Sequence, residues 1–238
     1  MEIKDKVIIV TGATSGIGEA VARKLAHAGA KLVIAGRNDE KLGALARELH
    51  GAAVAVHADM ASQADIMNLV DRALEVDGRI DILINNAGVG MYGPFEDVNM
   101  DEYRHMMNVN VFGPVYAMKL IIPRMRAQGG GMIVNVSSRV SKNYFPHLAA
   151  YASTKYALNA ISLTARTELA KDNIVVSVMH PKMTATNFSK NALGQHPDYD
   201  ELSRRRAASG NAAQIDTADQ VADKILEQIG SEAAEAEM

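Results

Sequence analysis

An apolar, β-rich run, Val7–Val10, passes directly into Thr11-Gly12-Ala13-Thr14-Ser15-Gly16-Ile17-Gly18, and a helical stretch, Ile17–Ala28, follows at once. Glycines at such a turn permit tight backbone geometry and close approach of a phosphate, while the helix start offers unpaired N–H groups to it. A strand, a glycine turn and a helix in that order fit the first strand of a parallel sheet that holds a dinucleotide. Glycines also end strands without binding anything. The rest of the chain must therefore supply the other half of a site.

Further β-rich runs are Lys31–Ala35, Ala53–His57, Asp81–Asn85, Met132–Val136 and Ile174–Met179. Apart from Asp81, which opens its run, they are apolar without strict alternation, as strands buried on both faces should be. Helical runs lie between them, at Asp39–Leu49, Ser62–Val76, Asp101–Ala127 and Ala150–Lys171. The run Asp101–Ala127 carries Pro114 and Pro123, which predicts a kink or break there. A last helix, Thr217–Ile229, has Asp216 or Thr217 as its cap. No repeat or linker divides the 238 residues, so the expectation is one α/β domain, doubly wound, with a parallel sheet of six or seven strands.

The net charge of −3 gives no electrostatic basis for binding nucleic acid or an anionic membrane. The absence of cysteine excludes disulfides, thiolate chemistry and cysteine-bound metal. The seven histidines show no ligand-type spacing, so no metal is expected. The charged start, Met1-Glu2-Ile3-Lys4-Asp5-Lys6, and the lack of a membrane-length apolar run predict a cytoplasmic location.

The second half of a site comes from Leu148–Leu158, an alanine-rich run without Gly or Pro that favours a helix. Tyr151 and Lys155 are four residues apart in it and would share one helical face. A phenol with a reference pKa of about 10 needs roughly three units of help, about 4 kcal/mol, to exchange a proton near neutral pH. One cation at about 4 Å in an effective dielectric of about 20 supplies energy of that order. The pair is sufficient for acid–base chemistry, although tyrosine and lysine at this spacing also occur as surface decoration.

The glycine spacing is Gly-x-x-x-Gly-x-Gly, and with Tyr-x-x-x-Lys far downstream it resembles the short-chain dehydrogenase/reductase family. Further motifs similar to that family's follow in order: Asp59 and Met60 after the third strand, Asn85-Asn86-Ala87-Gly88 after the fourth, Asn110 in the long helix, Ser137-Ser138 after the fifth, and Pro181 through Thr186 after the sixth. The resemblance runs from Lys6 to about Ile229 and implies a Rossmann-type oxidoreductase that interconverts a carbonyl and a secondary alcohol by hydride transfer. It implies a catalytic tetrad of Asn110, Ser138, Tyr151 and Lys155. Tyr151 would exchange the proton, Lys155 would lower its pKa and bind the nicotinamide ribose, Ser138 would orient the carbonyl, and Asn110 would hold a water linking Lys155 to solvent. Asn108 and Ser137 compete for two of these places; the family's Asn-Val-Phe-Gly pattern favours Asn110, and its usual second serine favours Ser138. The resemblance also implies cofactor contacts from Gly12, Thr14, Ser15, Gly16, Ile17, Gly18, Asp59, Met60, Asn86, Ala87, Gly88, Tyr151, Lys155, Pro181, Thr184 and Thr186. Asp59 has a plainer reading as a helix-start residue, and Asn85 one as a strand-end tie.

After the second strand, Gly36 leaves room for a 2′-phosphate and Arg37 can bind one bidentately, which favours NADP(H) over NAD(H). The alternative is an exposed arginine paired with Asp39 or Glu40. Lys182 stands where the family commonly has glycine, which puts the local backbone in question. Residues 187–214 would form a substrate lid, and Arg204-Arg205-Arg206 in it read as a solvated face rather than an anion site. The acidic end, Ser231–Met238, is poor in β-formers, so the sheet either ends at six strands or keeps a stub of a seventh. A homodimer through the helices carrying Asn110 and Tyr151, or a homotetramer, is expected. No hydrolase triad is read, since Ser137-Ser138 lack a Gly-x-Ser-x-Gly elbow and neither His147 nor His180 has an evident carboxylate partner in sequence. The competing class is a dinucleotide-binding scaffold without catalysis. An extended-branch epimerase or dehydratase fits less well, because it uses a different glycine spacing.

Overall fold

A computed structural model describes residues 1–194 and 215–238. Seven parallel strands form the central sheet: β1 (Val7–Thr11), β2 (Lys31–Gly36), β3 (Ala53–His57), β4 (Ile82–Asn85), β6 (Gly131–Val136), β7 (Ile174–His180) and β11 (Glu235–Glu237). Their order is β11-β7-β6-β4-β1-β2-β3. Short two-residue strands β5 (Met91–Tyr92), β8 (Thr184–Ala185), β9 (Leu193–Gly194) and β10 (Asp216–Thr217) lie outside it, paired β5 with β9 and β8 with β10. Helices α1 (Gly16–His27) and α7 (Ala218–Ser231) cover one face, with Val21, Leu25, Val221, Ile225 and Ile229 fully buried. Helices α3 (Gln63–Asp77) and α5 (Gly113–Ala127) cover the other with Ile66, Leu69, Ile121 and Met125. Each large side chain so buried stabilises the fold by about 1.5–3 kcal/mol before entropy. Two faces with two apolar cores explain why the main strands carry no alternation.

The chain moves outward from β1 to β2 and β3, then returns to place β4 on the other side of β1. That reversal leaves a crevice above the carboxyl ends of β1 and β4, where ligands of open α/β sheets bind.

A break falls inside the long helical run, as expected. It comprises α4 (Met100–Met107), a π-helical turn (Asn108–Phe112) and α5. The break precedes Pro114, whereas Pro123 sits inside α5 without ending it. A proline ring clashes with the carbonyl four residues back and has no N–H to offer it. For Pro114 that carbonyl belongs to Asn110, and the backbone widens so that Gly113 N bonds Asn108 O instead.

The seventh strand is present as a three-residue stub, in register Glu235↔Val178, Ala236↔Met179 and Glu237↔His180. Its composition is a poor β-former, so side chains from elsewhere hold it. Ser177 Oγ donates to Ala233 O at 2.7 Å, Arg166 Nη2 to Glu232 O at 2.8 Å, and Lys142 Nζ to Glu235 Oε1 at 2.6 Å. The preceding helix, α7, is capped by Thr217 in a reciprocal box with Gln220. Among the described residues no helix is long and apolar enough to cross a membrane. Of the lid expected over 187–214, the part from 195 onward, including Arg204, Arg205 and Arg206, lies outside the described residues.

Candidate active site

The glycine turn is clamped to the end of β4. Asn86 Nδ2 donates to Thr11 O at 2.9 Å and Gly12 O at 3.3 Å, and the Asn86 and Ala87 N–H groups both donate to Thr11 Oγ1 at 3.0 Å. Gly12 and Gly16 have φ of 67° and 57°, a region that side-chain-bearing residues avoid. A Cβ on Gly18 would collide with Gly12 O and Asn86 Nδ2. Gly18→Ala is therefore expected to cost about 1–3 kcal/mol, read as a lowered thermal midpoint. Ser15 precedes α1 in extended backbone, and its side chain makes no capping bond, so the first N–H groups of the helix face the crevice uncapped. A cleft of about 650 Å³ adjoins this turn, lined by Thr14, Ser15, Gly16, Lys41, Thr186 and Lys190 among others.

Gly36 serves a purpose other than the expected one. The space its missing side chain leaves is taken by Thr14, whose Cγ2 would lie 2.8 Å from a Cβ there, so the glycine makes room for the turn rather than for a phosphate. Arg37, one residue on, is exposed, and Asp39 bonds His57 Nδ1 at 2.8 Å instead of pairing with it. Hydrogen bonding to Asp39 raises the His57 pKa. Arg37 has no ion pair among the described residues.

Asp59 is not the helix cap. Its Oδ1 accepts from Ala61 N at 2.9 Å, while Ser62 caps α3. Met60 points its side chain into the core at 4% exposure. Asn85 is structural, donating to Asn135 Oδ1 at 2.8 Å.

Helix α6 (Ala149–Leu169) carries Tyr151 and Lys155. Lys155 is buried, with Nζ 5.9 Å from the Tyr151 ring centroid, and it donates to Val136 O at 3.0 Å. Burial lowers its pKa from 10.5 to about 8. Val136 O is its one hydrogen-bond acceptor among the described residues, so an ammonium with three donors is left under-satisfied. Tyr151 lies beneath Phe188, ring centroids 5.8 Å apart. Asn110, in the π-turn, exchanges two hydrogen bonds of 2.8 Å with the Val89 backbone and donates to Thr154 Oγ1 at 3.1 Å. Gly88 separates it from Lys155: a Cβ there would lie 3.4 Å from Asn110 Oδ1 and 3.7 Å from Lys155 Nζ.

Of the serine pair, Ser137 is buried and donates to Lys155 O at 3.4 Å, whereas Ser138 is partly exposed and its Oγ accepts from Val140 N. Pro181 O accepts from Arg139 N at 2.9 Å. Lys182 is not among the residues of positive φ, so its replacement of glycine strains nothing. Thr184 lies on β8 and bonds back to Lys182 O, while Thr186 covers the glycine turn, with Cγ2 2.9 Å from where a Gly16 Cβ would stand.

Residues 6–196 match the short chain dehydrogenase family. The chain belongs to that family of oxidoreductases. It is 36% identical over 235 residues to dehydrogenase/reductase SDR family member 7B of Mus musculus, covering 96% of this chain and 71% of the mouse protein. It is 34% identical over 189 residues to an uncharacterized oxidoreductase of Staphylococcus epidermidis, covering 79% and 82%. A short chain dehydrogenase/reductase from Burkholderia phymatum in complex with NAD superposes with a TM-score of 0.89 at 25% identity, over 100% of this chain and 90% of that one. A short-chain dehydrogenase from Streptomyces avermitilis gives 0.85 at 30% identity, over 100% and 89%.

Three residues of this short-chain dehydrogenase site were missed from sequence. Thr11 joins β1 to the segment after β4, and its one signal is a hydroxyl closing an apolar run. Thr154 supports Asn110. His180 does have a carboxylate partner, Glu235 at 2.9 Å, contrary to expectation; nothing in an acidic tail marked that residue.

Proposed function

We propose that this short-chain dehydrogenase is an NADP(H)-dependent oxidoreductase interconverting a carbonyl and a secondary alcohol, with Tyr151 as general acid/base. The observation that carries this reading is Lys155: a buried, under-bonded ammonium one helical turn from a tyrosine and beside Gly88. A buried cation with unmet donors calls for an acceptor from outside the chain. The ribose hydroxyls of a dinucleotide fit that demand, and the cradle at Gly12, Gly16 and Gly18 fits its phosphates. Thr14, Ser15, Ile17, Asn86, Ala87, Gly88, Pro181, Thr184 and Thr186 complete the holding set, with Asp59 and the Met60 backbone at the adenine end. When bound, the nicotinamide supplies or accepts the hydride.

The chain's own residues manage the proton. Tyr151 donates its phenolic proton to the carbonyl oxygen as that oxygen takes on charge, and accepts one in the reverse direction. Lys155 Nζ stands 5.9 Å from the Tyr151 ring centroid, and a cation that near favours the phenolate by a few kcal/mol, on the order of 3, at an effective dielectric of about 20. Ser138 offers its hydroxyl to the same carbonyl. The Asn110 amide is committed to Val89 and Thr154. Its main-chain carbonyl, which Pro114 cannot bond, is the atom that holds a water between Lys155 and solvent.

Arg37 supports NADP(H), because its guanidinium has no ion pair among the described residues and Asp39 is occupied by His57. Fluorescence titration with NADPH and NADH tests this. Arg37→Asp should weaken NADPH about a hundredfold, by loss of a charged hydrogen-bond pair and added repulsion, and leave NADH nearly unchanged. Tighter binding of NADH by the wild type would contradict the nucleotide choice.

A further inference from the structure

His180, the last residue of β7, has no exposed surface, yet both ring nitrogens meet polar atoms. Nε2 lies 2.9 Å from Glu235 Oε1 on β11, and Nδ1 lies 3.4 Å from Ser141 Oγ. Ser141 Oγ in turn donates to the main-chain carbonyl of Ser138 at 2.5 Å and accepts from Asn159 Nδ2 at 2.8 Å. A hydroxyl has one proton. That proton lies on Ser138 O, and Asn159, Ser137 at 3.3 Å and His180 all face the lone pairs of Ser141 Oγ. An ionised carboxylate only accepts, so the nitrogen facing Glu235 donates. Lys142 and then His180 hold the Glu235 pKa below the ordinary carboxylate range. Glu237 lies 3.8 Å from Lys142, and the segment after β6 and helix α6 present the neutral Ser137 and Asn159. Hydrogen bonds thus run from Glu235 through His180 to Ser141 and the serine turn.

We propose that Glu235 and His180 are positioning residues: their hydrogen bond fixes Ser141, and Ser141 fixes the turn that carries Ser138. The C-terminal strand is then a working part of the active site, although none of its side chains meets substrate. The inference rests on the role given above to Ser138. A hydroxyl displaced by about 1 Å from a reacting carbonyl can cost about a hundredfold in rate.

The test compares Glu235→Gln, His180→Gln and Lys142→Met with wild type in steady-state reduction, NADPH titration, thermal melting and side-chain imidazole NMR. Glu235→Gln keeps shape but removes the charge that faces His180 Nε2. The expected result is a kcat lowered at least about tenfold in Glu235→Gln and His180→Gln, with NADPH affinity within about twofold. Lys142→Met removes an exposed cation that shares Glu235 Oε1 with His180 but leaves the His180 contact in place, and should keep kcat within about twofold. In the wild-type spectrum, the resonances that vanish in His180→Gln should include a hydrogen-bonded Hε2, which should shift in Glu235→Gln. Unchanged kcat in both variants, or an imidazole spectrum that Glu235→Gln leaves unmoved, overturns the inference. A wild type that binds no dinucleotide and reduces no carbonyl overturns the proposed function instead, and the imidazole spectrum still decides whether the His180–Glu235 contact exists.

Discussion

Replacing Tyr151 with phenylalanine is expected to lower kcat by about 10²–10⁴-fold, the usual worth of a positioned general acid. The change removes one oxygen and keeps the ring that packs with Met91, Met106 and Ala150 and lies against Phe188. Removing one hydroxyl costs on the order of 1 kcal/mol of stability, so the protein should still fold. NADPH affinity should stay within about twofold, since the cradle and Lys155 are untouched. Steady-state kinetics beside a nucleotide titration separates the two effects. Equal loss of affinity and turnover would mean that Tyr151 holds the fold rather than the proton.

The second large effect concerns Lys155. Its pKa falls from 10.5 in the exposed chain to about 8 on folding, because burial penalises the charged form. Between those values the unfolded chain binds more protons than the native one, so stability rises with pH there. The penalty, about 3 kcal/mol, is fully present below pH 8 and disappears towards pH 10.5. Lys155→Met removes it and leaves Val136 O without its partner, for a net gain of about 2 kcal/mol at pH 7. The thermal midpoint should rise by roughly 4–8 °C at pH 7 and by little near pH 10.5. Carbonyl reduction should fall at least about a hundredfold in the same variant. In the wild type, kcat/KM for reduction should decline above about pH 8, as the ammonium that favours the phenolate loses its proton. A variant less stable than wild type at pH 7 would show that the lysine is a structural tie.

Sequence carried the sheet and the two halves of the site, because both are local. Strands buried on two faces need unbroken apolar runs such as Val7–Val10 and Ile82–Ile84. The glycine turn and the Tyr151–Lys155 pair are set by spacing within one element. What escaped depends on distant partners. The π-turn at Asn108–Phe112 arises where Pro114 opens α5 while Gly113 packs against Met60 O, so the two prolines announce a break but not its place or its π geometry. The seventh strand contradicts its own propensity, since Lys142, Arg166 and Ser177 hold it from three separate elements. Gly36 reads as open space in sequence and proves to be filled by Thr14. His180 and Glu235 are 55 residues apart and meet only through β11.

The most direct test supplies NADPH carrying deuterium at its transferable position, with a panel of ketones, and examines the product alcohols by mass spectrometry. The account predicts deuterium on the carbinol carbon with wild type and a loss of that transfer in Tyr151→Phe. NADPH that binds and transfers nothing to any ketone, or transfer that persists undiminished without the Tyr151 hydroxyl, would contradict it.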